Sequence, residues 1–132
     1  MFNLPNVIAL KIIVTMGFWS FPLLVEPGFF LPQAGLDIPE NTILLSLLGW
    51  AYVALCVGYG YGFLQARKGI REKGILAMGV VSNGGGCLIM LFYAVTGMAP
   101  ELTLFGNIIA LGSVAFTGFF AVSLYLLGLR EA

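Results

Sequence analysis

The chain has 132 residues, of which 60% are hydrophobic and 9% charged, with six basic and six acidic side chains and no His. A water-soluble domain carries roughly 25% charged residues, so a chain of mean hydropathy +1.02 cannot cover its own surface in water and reads as an integral membrane protein. Zero formal net charge offers no footprint for nucleic acid. The absence of His, with only Cys56 and Cys87 as thiols, removes the usual ligand sets for haem, zinc or copper and any CxxC redox motif.

A membrane-spanning helix needs ~20 apolar residues. The first such segment runs over about 6–25. It is long, lacks a basic start and has no small-residue cleavage site, so it reads as a span and not as a cleaved signal peptide. Lys11 lies a turn or so inside it and is expected to snorkel back to the side on which the chain begins. The stretch PLLVEPGFFLPQAGLDIPE follows. Its Pro and Gly spacing, with Phe29, Phe30 and Leu31, predicts a structured hairpin lying at the membrane interface, either a plain connector or a docking surface.

The second span covers about 43–64, with Asn41 or Thr42 as its cap, and carries Gly49, Cys56 and Gly60 on one side. The connector QARKGIREKG then gathers Arg67, Lys68, Arg71 and Lys73 against Glu72 alone. This basic loop is a topology signal and also suits anionic lipid or a cytoplasmic partner. The third span covers about 75–95. A short connector with Pro100 leads to the fourth, about 104–124, on which Gly106, Ala110, Ser113, Thr117, Ala121 and Gly128 share a side. Because positive loops stay inside, both termini and the basic connector are expected on the cytoplasmic side. The predicted fold is all-α: a single-domain four-helix transmembrane bundle over 1–132, N-in and C-in, in a bacterial inner membrane or its equivalent. Trp19, Trp50, Tyr59, Tyr61, Tyr93 and Tyr125 are expected to form an interfacial aromatic belt.

The run VVSNGGGCLIM, residues 80–90, does not match a phosphate-binding loop, which needs a Gly-Lys-Ser/Thr ending between a strand and a helix. Placed on a helix, Gly79, Ser82, Asn83, Gly86, Cys87, Met90 and Tyr93 fall on one face, and Val81, Leu88, Phe92 and Val95 on the other. The first face is expected to pack, since small residues let membrane helices approach closely. Gly84 and Gly85 point elsewhere near the bilayer midplane, where helices of transporters are often interrupted, and mark a candidate hinge. Counting along each span at 1.5 Å per residue puts Asn83 about 12 Å from the cytoplasmic edge. Thr15, Cys56 and Thr117 fall close to that level. A shared polar layer is expected, with Asn83 hydrogen-bonded to Thr117, because an unsatisfied amide in hydrocarbon is costly.

No carboxylate lies inside any span, so the buried acid or His used by proton-coupled pumps is missing, and no enzymatic activity is expected. Two functions stay open. One is a non-catalytic accessory subunit of a larger membrane assembly of the electron-transfer or photosynthetic kind. The other is a small carrier or channel for an uncharged or hydrophobic molecule, sited at the glycine-rich midplane. No covalent cofactor is expected. Membrane lipids and other membrane subunits are the expected partners, with quinone or pigment as further contacts.

In size, span order and three local patterns, PLLVEPGFF leading to AGLDIPE, LLGWAYVALCVGYGYG, and GVVSNGGG, the chain resembles DoxX-like four-helix membrane proteins. The resemblance covers most of the chain and implies the same four-helix fold. Some members of that group are small subunits of membrane electron-transfer complexes such as sulfur-compound:quinone oxidoreductases, and it is that role which the resemblance implies.

Overall fold

Four long apolar helices dominate the computed structural model, which describes residues 3–130. Helix α1, Leu4–Val25, starts where the Asn3 side chain accepts the Asn6 N–H at 3.1 Å, with Pro5 in the first turn. Over Thr15–Ser20 it widens into a π turn before resuming as Phe21–Val25. Pro22 is the physical reason. A proline inside a helix lacks the N–H and pushes against the carbonyl one turn back, and a wider turn relieves that contact. The helix stops at Glu26, whose backbone (φ −151°, ψ 63°) has left the helical region. The residue before a proline disfavours that region, and Pro27 comes next.

The interfacial segment is a helix, α2, Pro27–Ala34, and not the predicted hairpin. It is closed by Gly35 at φ +86°, with the Leu36 N–H returning to the Leu31 carbonyl at 2.9 Å and the Gly35 N–H to Pro32 at 3.0 Å. That pair of bonds is the glycine-dependent helix stop. Asn41 receives the Ile43 N–H at 2.9 Å and opens α3, Ile43–Arg67. Helix α4, Lys73–Thr96, ends at Gly97 (φ +70°). Helix α5, Leu104–Leu129, is capped by the Thr103 hydroxyl, which accepts the Gly106 N–H at 3.1 Å, and finishes in a second π turn, Tyr125–Leu129. Each span runs up to a turn or so beyond its predicted bounds. Polar and basic ends such as Arg67 and Lys73 extend a helix without needing to enter hydrocarbon.

The long helices alternate in direction, which puts the basic connector and both ends of the described chain at one end of the bundle. There, α1 packs closely on α3 and α4 on α5. The core sits at that end and joins all four: Leu4, Val7 and Ile8 of α1, Tyr59 of α3, Leu76 of α4, Phe120 and Leu124 of α5. Small residues set the spacing. A β-carbon on Gly79 would lie 2.7 Å from Leu124 Cδ1, and one on Gly128 would lie 2.7 Å from Leu76 Cδ1. Close approach of this kind drives association in lipid, where apolar side chains gain nothing by leaving the bilayer. Val81, Leu88, Phe92 and Val95 all face outward, as lipid contact requires.

At the opposite end the bundle is held differently. Helix α2 lies across the start of α5, where the Thr103 N–H donates to the Ala34 carbonyl at 3.1 Å and its hydroxyl to the Gln33 carbonyl at 2.5 Å. Gly106 is pressed against the Ala34 carbonyl oxygen, a contact that leaves no room for a side chain. Between this clasp and the core α1 stays packed on α3, with Gly49 against Leu24, while α3 and α4 part. Helix α3 touches α4 only sparingly, through Gly62 against Ile75, Gly58 near Met78 and Tyr59 beside Ser82.

Candidate functional site

Where α3 and α4 part, the bundle holds a cavity of about 240 Å³ to which all four long helices contribute. Its polar end lies toward the core, lined by Lys11, Thr15, Tyr59, Ser82, Asn83 and Thr117. Its other end is apolar and is walled by Trp19, Tyr52, Leu55, Ile89 and Met90, with Gly86 between the two. Ser82 and Ile89 are exposed on the outside of the bundle as well, so the cavity opens sideways, through the gap between α3 and α4, toward lipid.

Lys11, Thr15 and Trp19 reach the cavity from α1 at four-residue spacing. On a 3.6-residue helix that spacing drifts round the axis. The π turn beginning at Thr15 winds more slowly and offsets the drift, so Trp19 returns to the line of Lys11. Proline-induced widening of α1 therefore shapes one wall of the site.

The polar end combines satisfied and unsatisfied groups. Asn83, 2% exposed, donates through Nδ2 to the Gly79 carbonyl at 2.6 Å and to the Tyr59 hydroxyl at 3.4 Å. Tyr59 shares a 3.5 Å hydrogen bond with Ser82. Thr117 donates back to the Ser113 and Val114 carbonyls of its own helix, at 2.7 and 3.2 Å. The expected Asn83–Thr117 bond does not form, since each side chain finds two nearer acceptors. Thr15 differs: its hydroxyl is buried without a hydrogen-bond partner.

Lys11 does not snorkel. It is 9% exposed, and its ammonium lies 5.1 Å from the centre of the Phe120 ring and 6.0 Å from that of Tyr59. Tyr59 and Phe120 sit eight and nine residues from the ends of their helices, about 12–13 Å inward at 1.5 Å per residue. The cation is held at that depth by ring faces. Every carboxylate of the described residues lies in a connector (Glu26, Asp37, Glu40, Glu72 and Glu101), none in a span.

Of the residues singled out in the sequence, Thr15, Asn83, Thr117 and Gly86 meet at this cavity. Cys56 is buried a turn before Tyr59, outside the lining. Gly79 is a tight packing position. Gly86 is the reverse: a β-carbon there meets nothing within 4 Å, so it leaves space for the cavity and does not pack. The candidate hinge is absent as a break, because α4 runs unbroken through Gly84 and Gly85, with only Ala121 near the former at 3.9 Å. Arg67, Lys68, Arg71 and Lys73 lie exposed around the basic connector, with Arg67 stacked 5.9 Å from Phe63. Tyr59 leaves the expected aromatic belt and joins the core at 1% exposure, whereas Trp50, Tyr61, Tyr93 and Tyr125 stay exposed. Lys11, Tyr59 and Tyr52 were not anticipated as site residues. For Lys11 the signal was present, since a lone charge inside an apolar span marks a functional position by default.

A second, mostly apolar cavity of about 220 Å³ opens on the far side of Trp19, between α1 and α5, along Phe18, Ile108 and Phe116. Compared with known protein families, curated proteins and solved structures, the chain finds no match.

Proposed function

We propose that this chain is a non-catalytic membrane protein that takes one lipid-soluble molecule sideways from the bilayer into the cleft between α3 and α4. The observation that carries the reading is the cavity itself, open toward lipid, apolar at one end and lined by hydrogen-bonding groups at the other. Ligand sites have this composition, apolar walls with a few placed polar groups, and commonly hold 300–1,000 Å³. A cleft of about 240 Å³ takes the polar end of such a molecule and leaves the remainder in the bilayer. Of the two functions open from the sequence, this is the carrier-like one, moved from the glycine midplane to the gap beside it. The basic connector supports an orientation with Arg67, Lys68, Arg71, Lys73 and both termini in the cytoplasm, in a bacterial inner membrane or its equivalent.

The test is a plug. Gly86→Phe starts from a β-carbon in open space and is expected to place its ring in the cleft. Protein purified in mild detergent is extracted and its lipid-soluble content measured by mass spectrometry. Wild type should retain one class of molecule at near-equal stoichiometry, and Gly86→Phe should lose it while keeping its helical content and melting temperature. Equal retention by both refutes the reading.

A second reading, an accessory subunit of a larger membrane assembly as the DoxX-like resemblance implies, is favoured by a separate observation. β-Carbons on Gly60 and Gly85 would meet nothing within 4 Å, which leaves room for close approach by another membrane helix. Recovery of a free monomer from mild detergent, with no co-purifying protein, counts against it.

A further inference from the structure

The ligand's class follows from which groups at the polar end are already used. Both N–H groups of the Asn83 amide have acceptors, at Gly79 and Tyr59, and the Thr117 hydroxyl is spent on its own helix. The Thr15 hydroxyl, 2% exposed, has no partner, and the Lys11 ammonium one turn away lies against ring faces. Both line the same wall of the cavity. What remains without a partner is the Asn83 side-chain oxygen, an acceptor, and on the α1 wall a pair of donors, one carrying positive charge, in a span that supplies no carboxylate. A lysine ammonium has three N–H donors and accepts nothing, and a buried charge needs a partner of opposite sign. A neutral carbonyl would satisfy a hydrogen bond and leave the charge uncompensated. An anionic oxygen satisfies both.

We infer that the cleft binds a single-chain anionic amphiphile, its carboxylate or phosphate oxygens held by Lys11 and Thr15 and its hydrocarbon tail leaving between α3 and α4. The inference rests on the lateral-cleft reading above. The layout of the cavity agrees with it. From Lys11 to Trp19 the α1 wall rises eight residues, about 12 Å, and along that rise the lining changes from polar to the rings and aliphatic chains of Trp19, Tyr52, Ile89 and Met90. A charged head at Lys11 thus places the first part of a tail against apolar walls. The side opening lets the rest remain in the bilayer, so the modest volume does not limit chain length. Arginine at position 11 preserves the charge, and methionine preserves only the shape.

Trp19 reports on the site directly, because it lines the cavity, and the only other tryptophan, Trp50, is 64% exposed and is removed by Trp50→Phe. In that background, the protein in phosphatidylcholine nanodiscs is titrated with brominated stearate, brominated stearyl phosphate or brominated stearyl alcohol, each of which quenches Trp19 when its tail lies against the ring. Non-brominated competitors separate saturable binding from partition into the disc. The anions should quench saturably and the alcohol bind at least about 30-fold more weakly, the loss expected when one partner of a desolvated charge pair is removed. Lys11→Met should erase that difference, Lys11→Arg should keep it, and Thr15→Val should weaken binding of the anions. Tighter binding of stearate identifies a free fatty acid as the source of the head group, and tighter binding of the phosphate identifies a phospholipid-type head. Equal binding of alcohol and anions to the wild type, or unaltered anion binding in a folded Lys11→Met protein, overturns the inference and leaves the lateral cleft standing. If none of the three probes quenches saturably, the cleft reading fails and the inference with it.

Discussion

Alanine substitutions along α4 separate glycines that pack from glycines that leave space. A methyl group on Gly79 would stand 2.7 Å from Leu124 Cδ1, 3.1 Å from the Tyr59 hydroxyl and 3.2 Å from Tyr59 Cε1. Leu124 is 0% exposed and enclosed by the core, and Tyr59, although it borders the cavity, is tied to Asn83 and Ser82. Overpacking of this kind costs about 1–3 kcal/mol, against which alanine gains about 1 kcal/mol of helix propensity over glycine. Gly79→Ala should therefore lose about 0–2 kcal/mol. Gly85→Ala meets nothing within 4 Å, so it should gain up to about 1 kcal/mol. The two variants should then differ by about 1–3 kcal/mol. Reversible unfolding in mixed dodecyl maltoside and SDS micelles, followed by helical circular dichroism, measures the difference as a shift in midpoint. A Gly79→Ala protein as stable as Gly85→Ala would refute the packing argument. Gly84→Ala belongs with Gly85→Ala, since its nearest neighbour, at 3.9 Å, is in ordinary contact. A double Gly84→Ala/Gly85→Ala protein should stay folded and keep the bound molecule of the wild type.

Two further outcomes are expected elsewhere in the molecule. Thr103→Ala removes both the cap of α5 and the tie to Gln33. It should cost about 0.5–2 kcal/mol, and hydrogen exchange should show faster opening of α2 while the core around Tyr59 and Phe120 stays protected; unchanged exchange in α2 would show that the clasp lies elsewhere. Ile70→Cys, in the basic connector and 48% exposed in the native residue, should react with a membrane-impermeant maleimide in inverted vesicles and not in intact cells. The opposite pattern would reverse the N-in, C-in orientation.

Much of the architecture was legible in the chain because bilayer thickness imposes it. Long apolar runs, broken by Pro27, Pro100 and the cluster Arg67–Lys73, leave four helices as the arrangement that satisfies every backbone group in lipid. The lipid-facing side of α4, with Val81, Leu88 and Val95, was legible for the same reason: a helix repeats its faces at a fixed period. The π turn in α1 was not. Pro22 announces a disturbance, but a kink, a break and a widened turn all relieve the same clash, and neighbouring helices choose among them.

The candidate site divides along the same line. The sequence established that Asn83 would be a buried polar group needing partners, whereas for Lys11 it predicts escape to the membrane edge, and the side chain stays inside. Which partners they have depends on distances between helices, and those are set by contacts such as Gly79 on Leu124 and Gly106 on Ala34. That is why Asn83 bonds Tyr59 and not Thr117, and why Tyr59 left the interface for the core. The cleft itself is a property of tertiary structure only. It exists because α3 and α4 meet at Gly62 and Tyr59 and then part, and Gly86 beyond that point has no neighbour to fill the space. A one-dimensional pattern records which residues are small. Whether a small residue draws two helices together or leaves a space between them depends on what stands opposite, and packing alone decides that.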